Sequence, residues 1–528
     1  MYVFWKGGGD NKNNTEPFLN TGMKWVDEIL FLGVYFRHDL SDNVKNYNLK
    51  IVEIENLMKR WEYKKMSEFG RLIVIKTLGL SKLSHIAIVL PGLDDGTIRR
   101  LESKLIKFVW GGGRVKMALS AAKCKCIEGG MGAFDIKASW SAFKIKWLGK
   151  IFKDKDKDYS KIVQFHIYRV NNRLEISDLG IWTFDNLNYL ALNIESEFWK
   201  QVLKCFAKGL KIYIEKVKYP ILMVSIWGNP FFKSGARTLI APDEYSRKHL
   251  CFTTLYINSM AGNDIVYLSY DEFCERHNAR NHISLRFYTK IVKVIKGGLQ
   301  KLGLSNISNI SNQPFRPTML EFALKQDKGC SFWAELLKEN SRNHNNIRFR
   351  ENKWEQQFQM QRGDIEWRSI YKLNMSIKFG NEYRFFHLQI YRDNLDTKTH
   401  SIHFRDQDAL CTFCATHLET VKHLLFDCMI VLTLYREILN NLTVLYPKRD
   451  EINLNAFQFL LGEYDSKSDR EDFIMVINMM RFVWVCKCTG MQLSLDNFKN
   501  FFGRFCKIQQ KANILRCIQN IQLDSIWI

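Results

Sequence analysis

The sequence has few prolines and a shortage of acidic side chains. Its 528 residues include only eight prolines, and a chain with so few helix breakers can form many long helices. The 55 Asp and Glu residues fall short of the 77 Lys and Arg residues, which leaves a formal net charge of +22. A surplus of this size favours a polyanionic partner, either nucleic acid or an anionic membrane surface. The composition, 46% hydrophobic and 25% charged, excludes a disordered chain, and the length suffices for about three domains.

The sequence also lacks the usual marks of a membrane or secreted protein. We find no run of roughly 18 apolar residues, the length that a helix needs to cross a bilayer. The N-terminus, MYVFWKGGGDNKNN, has no positively charged start followed by an apolar stretch, so it does not resemble a secretory signal. The thirteen cysteines are an odd number and are scattered outside residues 411–428, as expected of reduced thiols. These absences predict an intracellular protein of the nucleus or cytoplasm, with nucleic acid rather than a membrane as its partner.

Hydrophobic periodicity predicts one strand and three helices within the first 113 residues. The apolar run at 24–36 predicts a buried strand. Apolar residues then recur at helical spacing in three segments, 54–61, 71–89 and 98–108. Pro91 ends the second pattern and Gly111 ends the third. Together these segments predict a compact three-helix unit.

Basic residues are concentrated in this predicted unit. Between Lys59 and Lys125, fifteen Lys and Arg residues stand against five Asp and Glu residues, a net charge of +10. One interpretation is a solvated helix surface, which would account for any single lysine. A cluster this one-sided favours contact with phosphates, because each neutralised phosphate releases condensed counterions.

The segment CTFCATHLETVKHLLFDC, residues 411–428, is where cysteine and histidine are concentrated. Its spacing, C-x2-C-x8-H-x4-C, is formed by Cys411, Cys414, His423 and Cys428. Three cysteines and one histidine are a common closed ligand set for zinc, so the pattern predicts a structural Zn²⁺ site without catalytic function. His417 stays open as a substitute for His423. The alternative interpretation is one amphipathic helix over LETVKHLLFDC with a buried histidine and inert cysteines.

Several short motifs, in order along the chain, resemble landmarks of one protein family. They are FLGVYF (31–36), GRLIVIKTLGLSKLSHIAIVLPG (70–92) after Trp61, FVW (108–110), GGMGAFDI (129–136), IWGNPFF (226–232), CTFCATHLETVKHLLFDC (411–428) after Thr397, and MRFVWVCK (480–487). They resemble the reverse transcriptases of LINE-type non-LTR retrotransposons, from the strand that follows the palm, through the thumb, to the zinc-binding domain. The resemblance covers nearly the whole chain.

This resemblance implies a fold, a set of domains and a role. We expect a mainly α fold with minor β: a helical thumb, a helical connector and a small CCHC zinc-binding module. The expected domains are a residual palm-edge segment (1–40), a thumb-like helical unit (41–113), a helical connector (114–312), a second helical segment (313–400), and the zinc-binding domain with C-terminal helices (401–528). In the family, this region holds template RNA and target DNA during target-primed reverse transcription. The thumb residues expected to contact the nucleic-acid backbone are Arg71, Lys76 and Lys82, with Lys64 and Lys65 as weaker candidates.

The catalytic carboxylates of the family are expected to be missing. Such polymerases need an aromatic-x-Asp-Asp hairpin tip and an upstream Asp to hold two metal ions. The sole Asp-Asp pair, Asp94-Asp95, lacks the aromatic residue, and the helical pattern TIRRLESKLIKF follows it, so the pair is predicted to start a helix. We therefore expect no polymerase site in this chain, which leaves its status as an enzyme open. The alternatives are a domesticated or relic retrotransposon protein without enzymatic role, and one half of an active polymerase whose palm lies upstream.

Overall fold

The structure, a computed structural model of the chain, describes most of the residues. They are 2–3, 24–25, 28–37, 43–113, 115–154, 156–170, 184–217, 225–240, 242, 255–257, 266–303, 329–339, 345–376, 380–401, 408–443, 455–462 and 467–511. Contacts divide the chain into two compact units. Unit 1 contains Met1–Glu55, Leu80–Glu102 and Asp135–Asn340, and unit 2 contains Asn56–Gly79, Ser103–Phe134 and Ser341–Ile528. The domain boundaries predicted at residues 40 and 312 lie outside the described residues.

The fold is mainly helical with a few short strands, as the sequence predicts. The helices are α1 (Asn43–Glu62), α2 (Glu68–Val74), α3 (Leu80–Val89), α4 (Asp95–Val109), α5 (Leu119–Ala122), α6 (Ile136–Lys153), α7 (Asp158–Val170), α8 (Phe184–Asn193), α9 (Glu197–Val217), α10 (Tyr270–His277), α11 (Leu285–Lys301), α12 (Cys330–Glu339), α13 (Asn345–Gln357), α14 (Trp367–Ser376), α15 (Asn381–Tyr391), α16 (Lys398–Ser401), α17 (Met429–Thr443), α18 (Ala456–Leu461), α19 (Lys467–Thr489) and α20 (Leu495–Lys511). The three helices predicted in the first 113 residues are present as α1, as α2 with α3, and as α4.

The strands are short and the described ones form two-stranded pairs. They are β1 (Tyr2–Val3) with β2 (Lys24–Trp25), β3 (Glu28–Phe31) with β4 (Val34–Arg37), β5 (Lys233–Ser234) with β6 (Arg237–Thr238), and β7 (Tyr256–Ile257) with β8 (Val266–Tyr267). The first pair is parallel and the other three are antiparallel.

The prediction of a single buried strand at 24–36 is wrong. The chain folds back at Leu32-Gly33, so that β3 and β4 form a hairpin. Both turn residues have positive φ, 49° and 78°, as the two-residue turns that match the twist of strands require. Leu30 and Phe31 are more than half exposed. The glycine inside the apolar run marks a turn rather than the middle of a buried strand.

Residues Glu68–Val89 are helical throughout, with a π turn at Ile75–Gly79 between α2 and α3. The Ser67 hydroxyl caps the start by accepting a hydrogen bond from the Gly70 N–H. This stretch corrects our expectation that no segment is apolar and long enough to span a membrane, because an 18-residue window within its 22 residues reaches a mean hydropathy of 1.6. Core helices of soluble proteins pass the same test of length and composition, so one such helix is weak support for a membrane span.

The core of unit 1 lies where α6, α9 and α12 pack together. Ala142 and Ile145 of α6 and Phe206 of α9 are fully buried there. Gly209 of α9 allows the close approach, since a Cβ at this position would lie 2.9 Å from Ile145 Cδ1 and 3.3 Å from the Trp333 ring of α12. A larger residue at position 209 would therefore push α9 away from its neighbours.

Unit 2 is built around α15. The seven residues Phe385–Tyr391 are all buried, which is expected of a helix that is enclosed on every side. The Trp354 indole of α13 donates to the Tyr391 carbonyl at 3.0 Å. The Arg392 guanidinium, directly after α15, donates to the Gly129 carbonyl at 2.6 Å. These bonds satisfy polar groups that burial would otherwise leave unpaired.

Candidate metal centre and basic residues

The first two predicted ligands lie in a tight turn of unit 2. A β bridge joins Leu410 to Leu418 at the ends of this turn. Within it, the Ala415 N–H donates to the Cys411 carbonyl at 2.9 Å. Ala415 has a left-handed φ of 52°, so the chain reverses directly after Cys414. The reversal brings the two thiols to one side of the turn.

The other two predicted ligands are at the ends of a π turn, His423–Asp427. The Cys428 N–H donates to the His423 carbonyl at 2.9 Å, and the His423 N–H donates to the Thr420 hydroxyl at 3.0 Å. In a regular α-helix, two residues five positions apart point about 140° away from each other. The wider π turn brings both side chains to the same face. This finding disfavours the alternative of a regular amphipathic helix with inert cysteines.

The four predicted ligand side chains converge. One ligand atom from each of Cys411, Cys414, His423 and Cys428 lies within 4.8 Å of the others. The Sγ atoms of Cys411 and Cys428 are 4.0 Å apart, and Cys414 Sγ is 3.3 Å from His423 Nε2. Zinc–sulfur bonds of about 2.3 Å in a tetrahedron place two sulfurs about 3.8 Å apart. The cluster therefore has the dimensions and the donor atoms to hold a small thiophilic metal ion.

Hydrogen bonds prepare Cys414 to act as a thiolate, whereas burial opposes ionisation of Cys411. The Thr416 hydroxyl, 3.2 Å from Cys414 Sγ, and the N–H groups of Thr416 and His417 lower the pKa of Cys414 to about 4. Burial raises the pKa of Cys411 to about 12, against bonds from the N–H groups of Cys414 and Phe413. A buried thiolate at Cys411 therefore requires a cation beside it. A coordinated metal ion would supply that charge.

His417 lies beside the cluster and is not one of its converging ligands. Its ring stacks on the His423 ring, with centroids 5.2 Å apart and an interplanar angle of 27°. Its Nδ1 atom lies 2.8 Å from the Thr416 hydroxyl. His417 is exposed and His423 is buried. Of the two histidines that the sequence left open, the geometry favours His423 as the ligand.

Sequence reasoning missed the residue that holds the ligand-bearing turn in place, Glu419. Its side chain is fully buried and accepts hydrogen bonds from the N–H groups of Lys398 and Thr412, at 2.9 and 2.8 Å. The Lys487 ammonium of α19 lies 3.1 Å from the same carboxylate. Burial raises the pKa of Glu419, but these hydrogen bonds and the Lys487 charge outweigh it, so the pKa is lowered. The Glu-Thr pair inside the motif was the only sequence signal.

The predicted phosphate-contacting residues divide into two groups. Lys64 and Lys65 lie exposed in the loop after α1. The other three have partners within the protein: Arg71 donates to the Phe108 carbonyl at 3.5 Å, Lys76 donates to the Gly132 carbonyl, and Lys82 lies 3.1 Å from Glu53. Lys76 is exposed like Lys64 and Lys65, whereas Arg71 and Lys82 are half-buried. The three residues that the sequence ranked highest are thus the ones whose side chains already bond within the protein.

Asp94 and Asp95 start α4, as the sequence predicts. Asp94 Oδ1 accepts a hydrogen bond from the Thr97 N–H at 2.9 Å. Asp95 Oδ2 lies 2.6 Å from Lys137 Nζ. Hydrogen bonds from Thr97 lower the pKa of Asp94, and the bond to Lys137 lowers that of Asp95. The Asp94 carboxylate therefore caps the start of α4, and the Asp95 carboxylate links that start to Lys137 of α6.

A scan of the sequence against models of known protein families finds no match. Among the residues that the structure describes, the Cys3His cluster is the one group of three or more Cys, His, Asp or Glu side chains that converges in this way. Fold and site together define a mainly helical protein with a cluster able to hold a metal ion.

Proposed function

We propose that this chain binds nucleic acid as the C-terminal portion of a LINE-type reverse transcriptase, comprising its thumb, connector and zinc-binding module. In that role it holds template RNA and target DNA during target-primed reverse transcription, and it has no polymerase site of its own. The proposal rests on the resemblance of seven motifs in family order and on the net charge of +22.

The observation that carries the proposal is the convergence of Cys411, Cys414, His423 and Cys428 within 4.8 Å. These four positions belong to the motif that resembles the family's zinc-binding domain, and a metal site is what that motif implies. The ion we propose is Zn²⁺, because three thiolates and one imidazole are a standard structural zinc set. Four protein ligands leave no position for a reactive water, so the role we assign to the metal is structural.

A second candidate function is that of one half of an active polymerase whose palm lies on an upstream segment. Under both candidates this chain has no polymerase site of its own, and the contacts of its sole Asp-Asp pair support that: Asp94 accepts a hydrogen bond at a helix start and Asp95 pairs with Lys137. The purified chain should incorporate no nucleotide on a primed RNA or DNA template with Mg²⁺ or Mn²⁺. Extension that disappears on Asp94→Ala or Asp95→Ala would overturn this part of the proposal.

The third candidate, a relic protein without function, differs from the proposal in two measurable properties. The proposal expects one Zn²⁺ per purified chain by elemental analysis. It also expects binding to RNA and DNA whose log K falls linearly with log salt between about 50 and 200 mM, with little dependence on base sequence. A chain that retains no zinc, or that binds neither nucleic acid at the lower salt, would contradict the proposal and favour the relic.

A further inference from the structure

Unit 1 contains a cavity of about 630 Å³ between α9 and the β5–β6 hairpin. We call it the α9–hairpin groove. Its basic lining residues are Lys204, Lys208, Lys211, Lys233 and Arg237. In the described part of the chain, none of the residues that line it carries a carboxylate and none is aromatic.

The α9 side of the groove presents three lysines in a row. Lys204, Lys208 and Lys211 occur at i, i+4 and i+7, which places them on one face of the helix, and all three are exposed. The opposite face of α9 is anchored in the core by Val202 and Phe206, both fully buried. With a rise of 1.5 Å per residue, the three lysines extend over about 10 Å. This is about the axial length of three nucleotides of one strand.

The hairpin side of the groove is held in place by the segment IWGNPFF (226–232). The indole of Trp227 is buried and stacks on Phe287 of α11 at 6.4 Å, with an interplanar angle of 5°. Phe232 is fully buried and packs so closely on α11 that a Cβ at Gly298 would lie 2.6 Å from its ring. These contacts fix the base of the hairpin that carries Lys233 and Arg237.

The positive charge of the groove is only partly offset by carboxylates nearby. Glu215 lies 4.0 Å from Lys211 across one helical turn, and both side chains are about half exposed. Asp95 also interacts electrostatically with Lys208, although the nearest ammonium to its carboxylate is that of Lys137. An exposed pair such as Lys211 with Glu215 contributes little free energy. A polyanion in the groove would therefore meet a strong, largely uncompensated positive potential.

We propose that the α9–hairpin groove is a second nucleic-acid-binding surface, which holds the phosphodiester backbone. The inference rests on the proposed nucleic-acid binding and adds a surface far along the sequence from the basic residues at 59–125. The apolar lining residues Ala207, Pro230 and Ile240 are aliphatic, so the groove provides no ring on which a base can stack. Lysine and arginine head groups contact phosphates without reading base sequence. The groove thus binds RNA and DNA of any sequence.

The test compares two triple variants of the full chain that change the net charge equally. The groove variant is Lys204→Gln, Lys208→Gln, Lys233→Gln. The control variant is Lys290→Gln, Lys293→Gln, Lys301→Gln, at exposed lysines of α11 in the same unit. Binding to a labelled single-stranded RNA and a labelled DNA duplex is measured by fluorescence anisotropy over a range of salt. Circular dichroism checks that each variant is folded.

The groove variant should bind at least tenfold more weakly at low salt, and its plot of log K against log salt should be flatter by about two to three, since each lost phosphate contact removes about 0.7 to 0.9 from the slope. The control variant should keep most of the wild-type slope. The inference would be overturned if the groove variant and the control variant had equal slopes of log K against log salt, whether both slopes were flattened or both were those of wild type. If wild type bound nucleic acid and the groove variant matched it, only the groove would be refuted; if wild type bound none, the proposed function would fail as well.

Discussion

Lys487 Nζ lies 3.1 Å from Glu419 Oε1, and this ion pair joins α19 to the turn that carries Cys411 and Cys414. Glu419 is fully buried and the Lys487 side chain is only 12% exposed. The N–H groups of Lys398 and Thr412 and the Thr412 hydroxyl donate the other hydrogen bonds to this carboxylate. The turn that carries Cys411 and Cys414 is therefore held in place by a residue almost seventy positions away in the sequence.

Glu419→Gln should lower the free energy of unfolding by about 3 kcal/mol, because it leaves the mostly buried Lys487 ammonium without its counter-charge. Adding Lys487→Met should recover part of the loss by removing that charge. Urea unfolding monitored by circular dichroism measures both. The control is Glu195→Gln, which breaks the pair with Arg169, where both side chains are more than half exposed; it should change stability by less than about 1 kcal/mol. Equal effects of the two Glu→Gln changes would show that the buried pair has no special role.

The ligand set makes a second prediction, about zinc content. Cys411→Ser, Cys414→Ser, Cys428→Ser and His423→Ala should each abolish tight Zn²⁺ retention, since every one removes a converging ligand atom. His417→Ala should retain one Zn²⁺ per chain, because its ring only stacks on His423. Elemental analysis after dialysis against a mild chelator distinguishes these outcomes. Zinc lost from the His417 variant and kept in the His423 variant would reverse the ligand assignment.

The local part of this structure was predictable from sequence and the long-range part was not. Cys411 and Cys428 are 17 positions apart, so their spacing alone suggested a shared site. The helix pattern at 98–108 was similarly local, and α4 bears it out. The partnership of Glu419 with Lys487, and the groove between Lys204 and Arg237, depend on tertiary packing that no spacing rule encodes. The hairpin at 28–37 was missed because the apolar run predicts one continuous strand, whereas Gly33 within that run lies at a turn that divides it into two strands.

A third prediction concerns acid sensitivity through His387 of α15. This histidine is fully buried, and its Nε2 lies 3.1 Å from the Leu461 carbonyl. Burial lowers its pKa to about 4, whereas an unfolded histidine has a pKa of about 6.5. As the pH falls below about 6.5, the unfolded state takes up a proton that the folded state excludes. Stability is therefore lost between about pH 6.5 and 4, by about 3 kcal/mol in total.

His387→Gln removes this titration, so its stability should fall less steeply than that of wild type over the same pH range. Urea midpoints measured from about pH 7 to pH 4 give the two slopes. If the Cys3His cluster holds a metal ion, its loss in acid would affect both proteins alike, so the comparison cancels that effect. His85→Gln, at an exposed position of α3, serves as the control and should keep the wild-type slope. Parallel slopes for wild type and His387→Gln would rule out the buried histidine as a source of acid sensitivity.

The last prediction separates the two groups of basic residues at 59–125. Lys64→Glu with Lys65→Glu should weaken binding to RNA and DNA of every sequence and flatten the plot of log K against log salt by about two, since both ammonium groups lie exposed. Lys76→Glu with Lys82→Glu should mainly lower stability, because it removes the bonds to the Gly132 carbonyl and to Glu53. Anisotropy titrations and urea unfolding of both double variants test this division, with Lys290→Glu and Lys293→Glu as the control for net charge. A flatter salt dependence confined to the Lys76 and Lys82 variant, with its stability unchanged, would restore the ranking made from sequence, in which Arg71, Lys76 and Lys82 carry the contact.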